Sequence, residues 1–397
     1  GNVTNVSQLQ NSTFSQTQRR LVNILTEILE HDTDWSQISD LNISNKGIEN
    51  VAELKEFLPN LKSIDMSQNM IKFLNGISSQ VLQLNASKNQ LETISSFESL
   101  RDLQQLNLSF NKLTSISGLS RNIHITNLKI SNNELSTLNG LENLTNIIEL
   151  DVSHNNLIGD LNFSQFHFKN LQVLDVSENN LQKISGLENL SSLRVLNAND
   201  NKLEMVSSHK HSYLKKLLLK SNHLEELNVA SFPGLRVLRI DGNRLLNLNG
   251  LHHLKRIEEI SCKSQFSSNS IKAIVENCTD LIKLDLSGNS YFTTEFETLM
   301  NKPFLNLNYL TLAATGVTQL PETFAQTFPN VRELNLNFNR ITNIDALAGM
   351  KNLRKVYLLS NKIEKIGLIV TGLRDSRNSL KILDLRLNPL NETLYPF

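Results

Sequence analysis

The chain has 397 residues, 39 Lys+Arg against 39 Asp+Glu, and a 39% hydrophobic content. That balance excludes a disordered or collagen-like chain, and no apolar run approaches the roughly 18 residues that a membrane-spanning helix needs. Length alone predicts two or three globular domains, unless the chain is an array of repeats that grows by stacking rather than by enlarging one core.

In chain order, residues 1–17 are a polar Asn/Ser/Thr/Gln-rich segment with no hydrophobic signal region. The leading Gly1-Asn2 fits a cleavage scar on the folded part of a longer protein. Residues 18–34 predict an N-terminal capping helix. Leu21, Val22, Ile24, Leu25, Ile28 and Leu29 line one side of it, with Ser15 and Gln18 placed to cap its start. Together with Trp35 it is expected to plug the exposed first edge of the core that begins after it.

From residue 35 to 397 one pattern recurs: L-x-x-L-x-L-x-x-N-x-L, as in Leu103–Leu113 (LQQLNLSFNKL). Thirteen asparagines, from Asn69 to Asn388, hold the same place in it, and three weaker units put Lys46, Gln265 and Thr315 there, giving about sixteen repeats. The second and third leucines alternate with polar residues, as a strand buried on one face requires. An asparagine amide then satisfies the backbone groups exposed where the strand turns away. This is a leucine-rich repeat. The expected fold is an α/β solenoid, a horseshoe with a parallel β-sheet on the concave face and 3₁₀ or short helices on the convex face.

Asn89 to Asn155 are spaced by 22 residues, and Gly76, Gly118, Gly140, Gly186 and Gly250 each fall seven residues after a ladder asparagine. Such short units leave room only for tight convex turns. Later units are longer. Ser268–Cys278 reads as a helix, Thr294 with Glu297 as a capping box before another, and the curvature is expected to change over residues 262–330. Asn388-Pro389-Leu390 ends the ladder, and Leu394, Tyr395 and Phe397 are expected to fold over the last strand.

Chemistry is hard to find. There is no phosphate-cradling Gly loop, no H-E-x-x-H and no Cys/His metal spacing, so no cofactor, metal or catalysis is expected. Cys262 and Cys278 read as reduced packing residues, and no flanking cysteine clusters seal the array. His209 and His211 make a poor metal pair. Asp65, Asp151, Asp175 and Asp285 recur once per repeat and form no catalytic dyad. Sequons such as Asn85-Ala86-Ser87 follow from the repeat consensus itself. No Ser-Pro or Thr-Pro occurs.

The expected activity is protein binding on the concave face. Residues 134–200 carry 9 acidic and 3 basic residues, whereas residues 202–264 carry 11 basic and 6 acidic. Lys215, Lys216, Lys220, Arg236 and Arg239 form a basic strip suited to an acidic or phosphorylated segment. A second candidate patch joins Tyr309, Phe338, Tyr357, Leu359 and Leu387 with Arg354, Lys355 and Arg386, the composition of an interface centre. Nucleic acid is disfavoured, because no exposed aromatics interleave with the basic strip.

Units such as LQVLDVSENNLQKISGLENL resemble the intracellular repeats of the protein phosphatase type one regulatory subunit. They equally resemble the centriolin group, which includes the fungal spindle-pole-body scaffold of the mitotic exit and septation initiation pathways. The array length, the Asn/Ser-rich composition and the irregular late repeats ending at NPLNETLYPF favour the scaffold. That resemblance implies an intracellular, cytoskeletal protein at the spindle pole body that recruits a GTPase pathway and its kinases. The phosphatase resemblance implies instead a subunit wrapping a catalytic domain along its concave face.

Overall fold

The structure is a computed structural model and describes residues 19–29, 34–290, 296 and 301–391. Two compact units divide it, Gly1–Leu193 and Arg194–Phe397.

The first unit opens with a helix over 19–28 that buries Leu21, Ile24 and Leu25. Ile28, expected on the packed side, is 36% exposed in the last turn of the helix. Ser15 and Gln18 lie outside the described residues. Trp35 sits in a one-turn 3₁₀ segment, Trp35–Gln37, and meets Phe57 edge-on with ring centroids 6.2 Å apart.

Seven parallel three-residue strands succeed it in this unit: Asp40–Asn42, Ser63–Asp65, Gln83–Asn85, Gln105–Asn107, Asn127–Lys129, Glu149–Asp151 and Val173–Asp175. The second unit has nine: Val195–Asn197, Lys216–Leu218, Val237–Arg239, Glu259–Ser261, Lys283–Asp285, Tyr309–Thr311, Glu333–Asn335, Lys355–Tyr357 and Ile382–Asp384. Each central residue, such as Leu106 or Leu238, faces the core, as the alternation in the repeat predicts. Burying each such leucine contributes about 1.5–3 kcal/mol. The last strand differs: Leu383 and Leu385 are half-exposed, with no later strand among the described residues to cover them. Leu394, Tyr395 and Phe397, expected there as a cover, lie outside the described residues, as do Thr294 and Glu297.

The asparagines form the expected ladder. Asn243 donates its Nδ2 to the carbonyls of Leu219 (2.8 Å) and Ile240 (3.0 Å), and its Oδ1 accepts the Leu224 N–H at 3.1 Å. One side chain thus ties its own turn to the preceding repeat. Gln265 does the same one methylene further out, donating to Ile240 O and Lys263 O, both at 2.9 Å. Thr315 has a single O–H to give, placed between Leu312 O at 2.9 Å in its own turn and Asn339 Oδ1 at 3.0 Å in the next repeat. Lys46 stands exposed in the first repeat, with no earlier strand among the described residues. The residue before each ladder position is left-handed, from Asn45 (φ 53°) to Leu387 (φ 57°), with glycine at Gly242 and Gly288.

The opposite side carries 3₁₀ turns such as Ser117–Leu119, Leu187–Asn189 and Leu251–His253. Gly76 is needed twice over: its φ is 84°, and a Cβ there would stand 1.7 Å from the Ala52 carbonyl oxygen. The expected helix is present as Asn269–Asn277, bounded by Ser268 and Cys278. No helix among the described residues is long and apolar enough to cross a membrane.

Candidate protein-docking face

The strand acids expected to be solvent-facing consensus residues have a structural task. Asp151 Oδ1 accepts the Ser153 N–H at 3.0 Å and its hydroxyl at 2.7 Å, and Asp175 and Asp285 hold Ser177 and Ser287 alike. They bend the chain out of the strand. His211 is buried and its Nδ1 accepts the Leu214 N–H at 3.2 Å, so it packs rather than ligates. Cys262 and Cys278 are buried free thiols, and burial pushes both up to about 12. Among the described residues no three His, Cys, Asp or Glu side chains gather as a metal site. A cavity of about 470 Å³ lies between the turn Leu251–His253 and helix Asn269–Asn277, with Asn228, Gly250 and Glu276 in its wall.

The sheet face of the second unit carries both candidate patches. Its register fixes two rows of side chains. One runs Val195, Lys216, Val237, Glu259, Lys283, Tyr309, Glu333, Lys355, Ile382. The other runs Asn197, Leu218, Arg239, Ser261, Asp285, Thr311, Asn335, Tyr357, Asp384.

The structure brings the five basic-strip residues onto two adjacent strands and their flanks but gives them different electrostatic settings. Arg239 Nη2 lies 2.7 Å from Glu259 Oε1, and Arg236 Nη1 lies 3.2 Å from Glu258 Oε1. Lys215, Lys216 and Lys220 have no carboxylate within ion-pair distance among the described residues. The free positive charge therefore sits on the lysine strand. Beyond it the face neutralises itself: Lys283 also reaches Glu259 (3.6 Å), and Lys263 reaches Asp285 (3.0 Å).

The C-terminal candidates are spread along their strands rather than gathered at a point. Tyr309 and Lys355 open their strands and Tyr357 closes its own. Lys355 Nζ is 3.1 Å from Glu333 Oε2, and the Glu333 hydrogen bond and charge, helped by the Tyr357 and Tyr309 phenols, hold its ammonium above the usual lysine range. Arg386 forks onto Asp384 at 2.9 and 2.7 Å, which lowers the carboxyl below its ordinary range. Phe338 and Leu387 occupy left-handed positions at the strand exits and are 56% and 72% exposed. Arg354 lies at the strand entry, exposed and without an ion pair among the described residues.

Three cations escaped the sequence reading: Arg194, Arg332 and Lys381. Each directly succeeds the first leucine-type residue of its repeat, as do Lys215, Arg236 and Arg354. Reading that single template position down the second unit finds all six, and in the first unit it finds Lys62.

Comparison with known proteins agrees with this architecture. Residues 80–121, 169–211 and 329–375 match the family described as Leucine Rich repeats (2 copies). The chain is 33% identical over 408 residues to the septation initiation network scaffold protein cdc11 of Schizosaccharomyces pombe, a match that covers 96% of this chain and 36% of that protein. It is 31% identical over 107 residues to Protein NUD1 of Saccharomyces cerevisiae, covering 26% of this chain and 12% of the other. The chain thus spans about a third or less of the length of these relatives. Among solved structures, the functional domain of InlJ from Listeria monocytogenes superposes with a TM-score of 0.62 at 20% identity, covering 88% of this chain and 73% of that one, which is a likeness of fold.

Proposed function

The chain is a leucine-rich-repeat protein related over most of its length to a fungal septation-initiation scaffold, and from that premise we propose that it docks signalling proteins at the spindle pole body to promote mitotic exit and cytokinesis. It is a non-enzymatic protein-interaction module. The observation that carries the finer reading is the near-complete coverage of this chain by the match to cdc11, a protein whose name states a scaffold role. The sheet face of the second unit is the proposed docking surface. Its lysine strand carries unpaired charge, and its last strands expose Tyr309, Phe338 and Leu387. Unpaired cations steer an acidic partner, and exposed aromatics beside arginine supply the apolar anchors of an interface.

Imaging of the tagged full-length protein in dividing cells tests this. Foci at the spindle poles, with spindle-pole and GTPase-pathway components recovered by affinity capture, are the expected result. A diffuse protein recovered with stoichiometric phosphatase catalytic subunit overturns it in favour of a phosphatase regulatory subunit.

A further inference from the structure

The six cations at the strand entries of the second unit form one row. Backbone hydrogen bonds link its members in order: Lys215 N–H to Arg194 O, Arg236 to Lys215, Glu258 to Arg236, Ile282 to Glu258, Asn308 to Ile282, Arg332 to Asn308, Arg354 to Arg332 and Lys381 to Arg354, all at 2.7–2.9 Å. The row therefore reads as three cations, then Glu258, Ile282 and Asn308, then three cations. Five of the six have no ion pair among the described residues, and only Arg236 meets a carboxylate, that of Glu258. All are exposed except Lys215, which is half-buried.

The gap is as informative as the clusters. Beside it the neighbouring rows hold Glu259 and Asp285, each already matched to a basic side chain. A ligand with evenly spaced negative charge, such as a polynucleotide, would meet these acids halfway along. A ligand with charge only at its two ends would not. With ladder strands about 4.8 Å apart, Arg236 and Arg332, four strands apart, are separated by about 19 Å, and Lys215 and Arg354 by about 29 Å. An extended peptide advances about 3.3 Å per residue, so about six to nine residues bridge these distances. Ile282, 39% exposed, lies under the bridge and offers it an apolar contact.

We propose that this row binds one extended peptide segment bearing two Asp/Glu clusters separated by about six to nine uncharged residues. This rests on the docking function proposed for the same face and specifies its ligand. Each cluster alone makes a weak, salt-screened contact. Two clusters on one chain make the second contact intramolecular, so spacing sets affinity.

The test uses the full chain and fluorescein-labelled synthetic peptides read by anisotropy. The peptides are a single three-Glu cluster, two such clusters joined by a six-residue neutral spacer, and two joined by a two-residue spacer. The six-residue spacer is expected to bind at least about tenfold more tightly than either of the others. Combined R332E, R354E and K381E substitution is expected to reduce it to the level of the single cluster, with the corresponding glutamine triple as the milder variant if the first does not fold. Equal affinity at both spacings overturns the proposal, as does equally tight binding of a 20-nucleotide oligothymidine, or binding only when the glutamates are replaced by phosphoserine. Capture of partners from extract by the charge-reversed chain separates the two levels. Partners lost without any spacing effect refute the two-cluster ligand alone, and partners fully retained refute the docking face.

Discussion

Arg239 closes a two-pronged contact on Glu259, with Nε at 3.0 Å and Nη2 at 2.7 Å from the same Oε1. Glu259 is the hub of a small network, since Lys283 reaches the same oxygen. An arginine that sequence alone assigns to a binding strip is thus engaged within the sheet face. Replacing Glu259 by Gln should release both cations and strengthen binding of an acidic peptide to this face, read by anisotropy at low salt. The stability cost should stay within about 1 kcal/mol, because partly exposed ion pairs contribute little. A variant with weaker acidic-peptide binding would show that Arg239 and Lys283 take no part in it.

This contact shows what the sequence makes legible. A position that recurs every repeat, such as the central strand leucine or Asn243, announces its environment, because stacking places every copy in the same surroundings. Strands, ladder and convex turns are all readable on that basis. Ion pairing between strands depends on two different positions in adjacent repeats, as with Arg239 and Glu259, and a repeat-by-repeat reading does not see it. The strand-entry cations Arg194, Arg332 and Lys381 share their template position with Lys215, Arg236 and Arg354. They become legible only when that one position is followed from repeat to repeat, since a single repeat does not distinguish a row from a scattered surface charge.

Asn243 is fully buried and satisfies groups on two repeats. Substitution by Ala leaves the Leu224 N–H and the Leu219 carbonyl without partners. Each such buried orphan costs about 1–3 kcal/mol. N243A should therefore lower stability by roughly 2–4 kcal/mol in urea denaturation, summing two such losses with partial relaxation. Gln in its place, by analogy with Gln265, should recover much of the loss.

Gly76 and Gly159 separate backbone strain from steric exclusion. Both have positive φ, 84° and 75°, but a Cβ at Gly76 would overlap Ala52 O, whereas a Cβ at Gly159 has nothing within 4 Å. G159A should cost only the left-handed penalty, about 1–2 kcal/mol. G76A must also displace the adjoining turn and should cost more than about 3 kcal/mol, at the level of severe core mutations. Equal melting temperatures for the two variants would contradict this.

The thiols give a test of packing that needs no mutation. Cys262 and Cys278 are 0% and 2% exposed, and burial in apolar surroundings raises both to about 12. At pH 8 neither should react with a thiol-specific reagent in the native protein, and both should react at once in denaturant, since only the accessible thiolate attacks. Rapid native labelling of either would mean that the longer repeats around helix Asn269–Asn277 open readily.

Asp345 links stability to pH. Its carboxylate accepts from Asn343 Nδ2 at 2.9 Å and from Thr371 Oγ1 at 2.7 Å, and the Asn343 bond first, then the Thr371 bond, lower its pKa below the ordinary aspartate value. A carboxyl depressed by folding contributes stability that is present above its unfolded pKa of about 3.9 and is lost as pH falls through the folded value. The Thr371 bond ties the turn Asp345–Leu347 to helix Ile366–Gly372 in the last repeats. D345N, which keeps the shape but cannot titrate, should therefore be less stable than the parent at pH 7. The gap in melting temperature should narrow as both are acidified from about pH 5 to about pH 3. The surface position makes the effect small. Its sign is the test, and a gap that widens on acidification would place the linkage elsewhere.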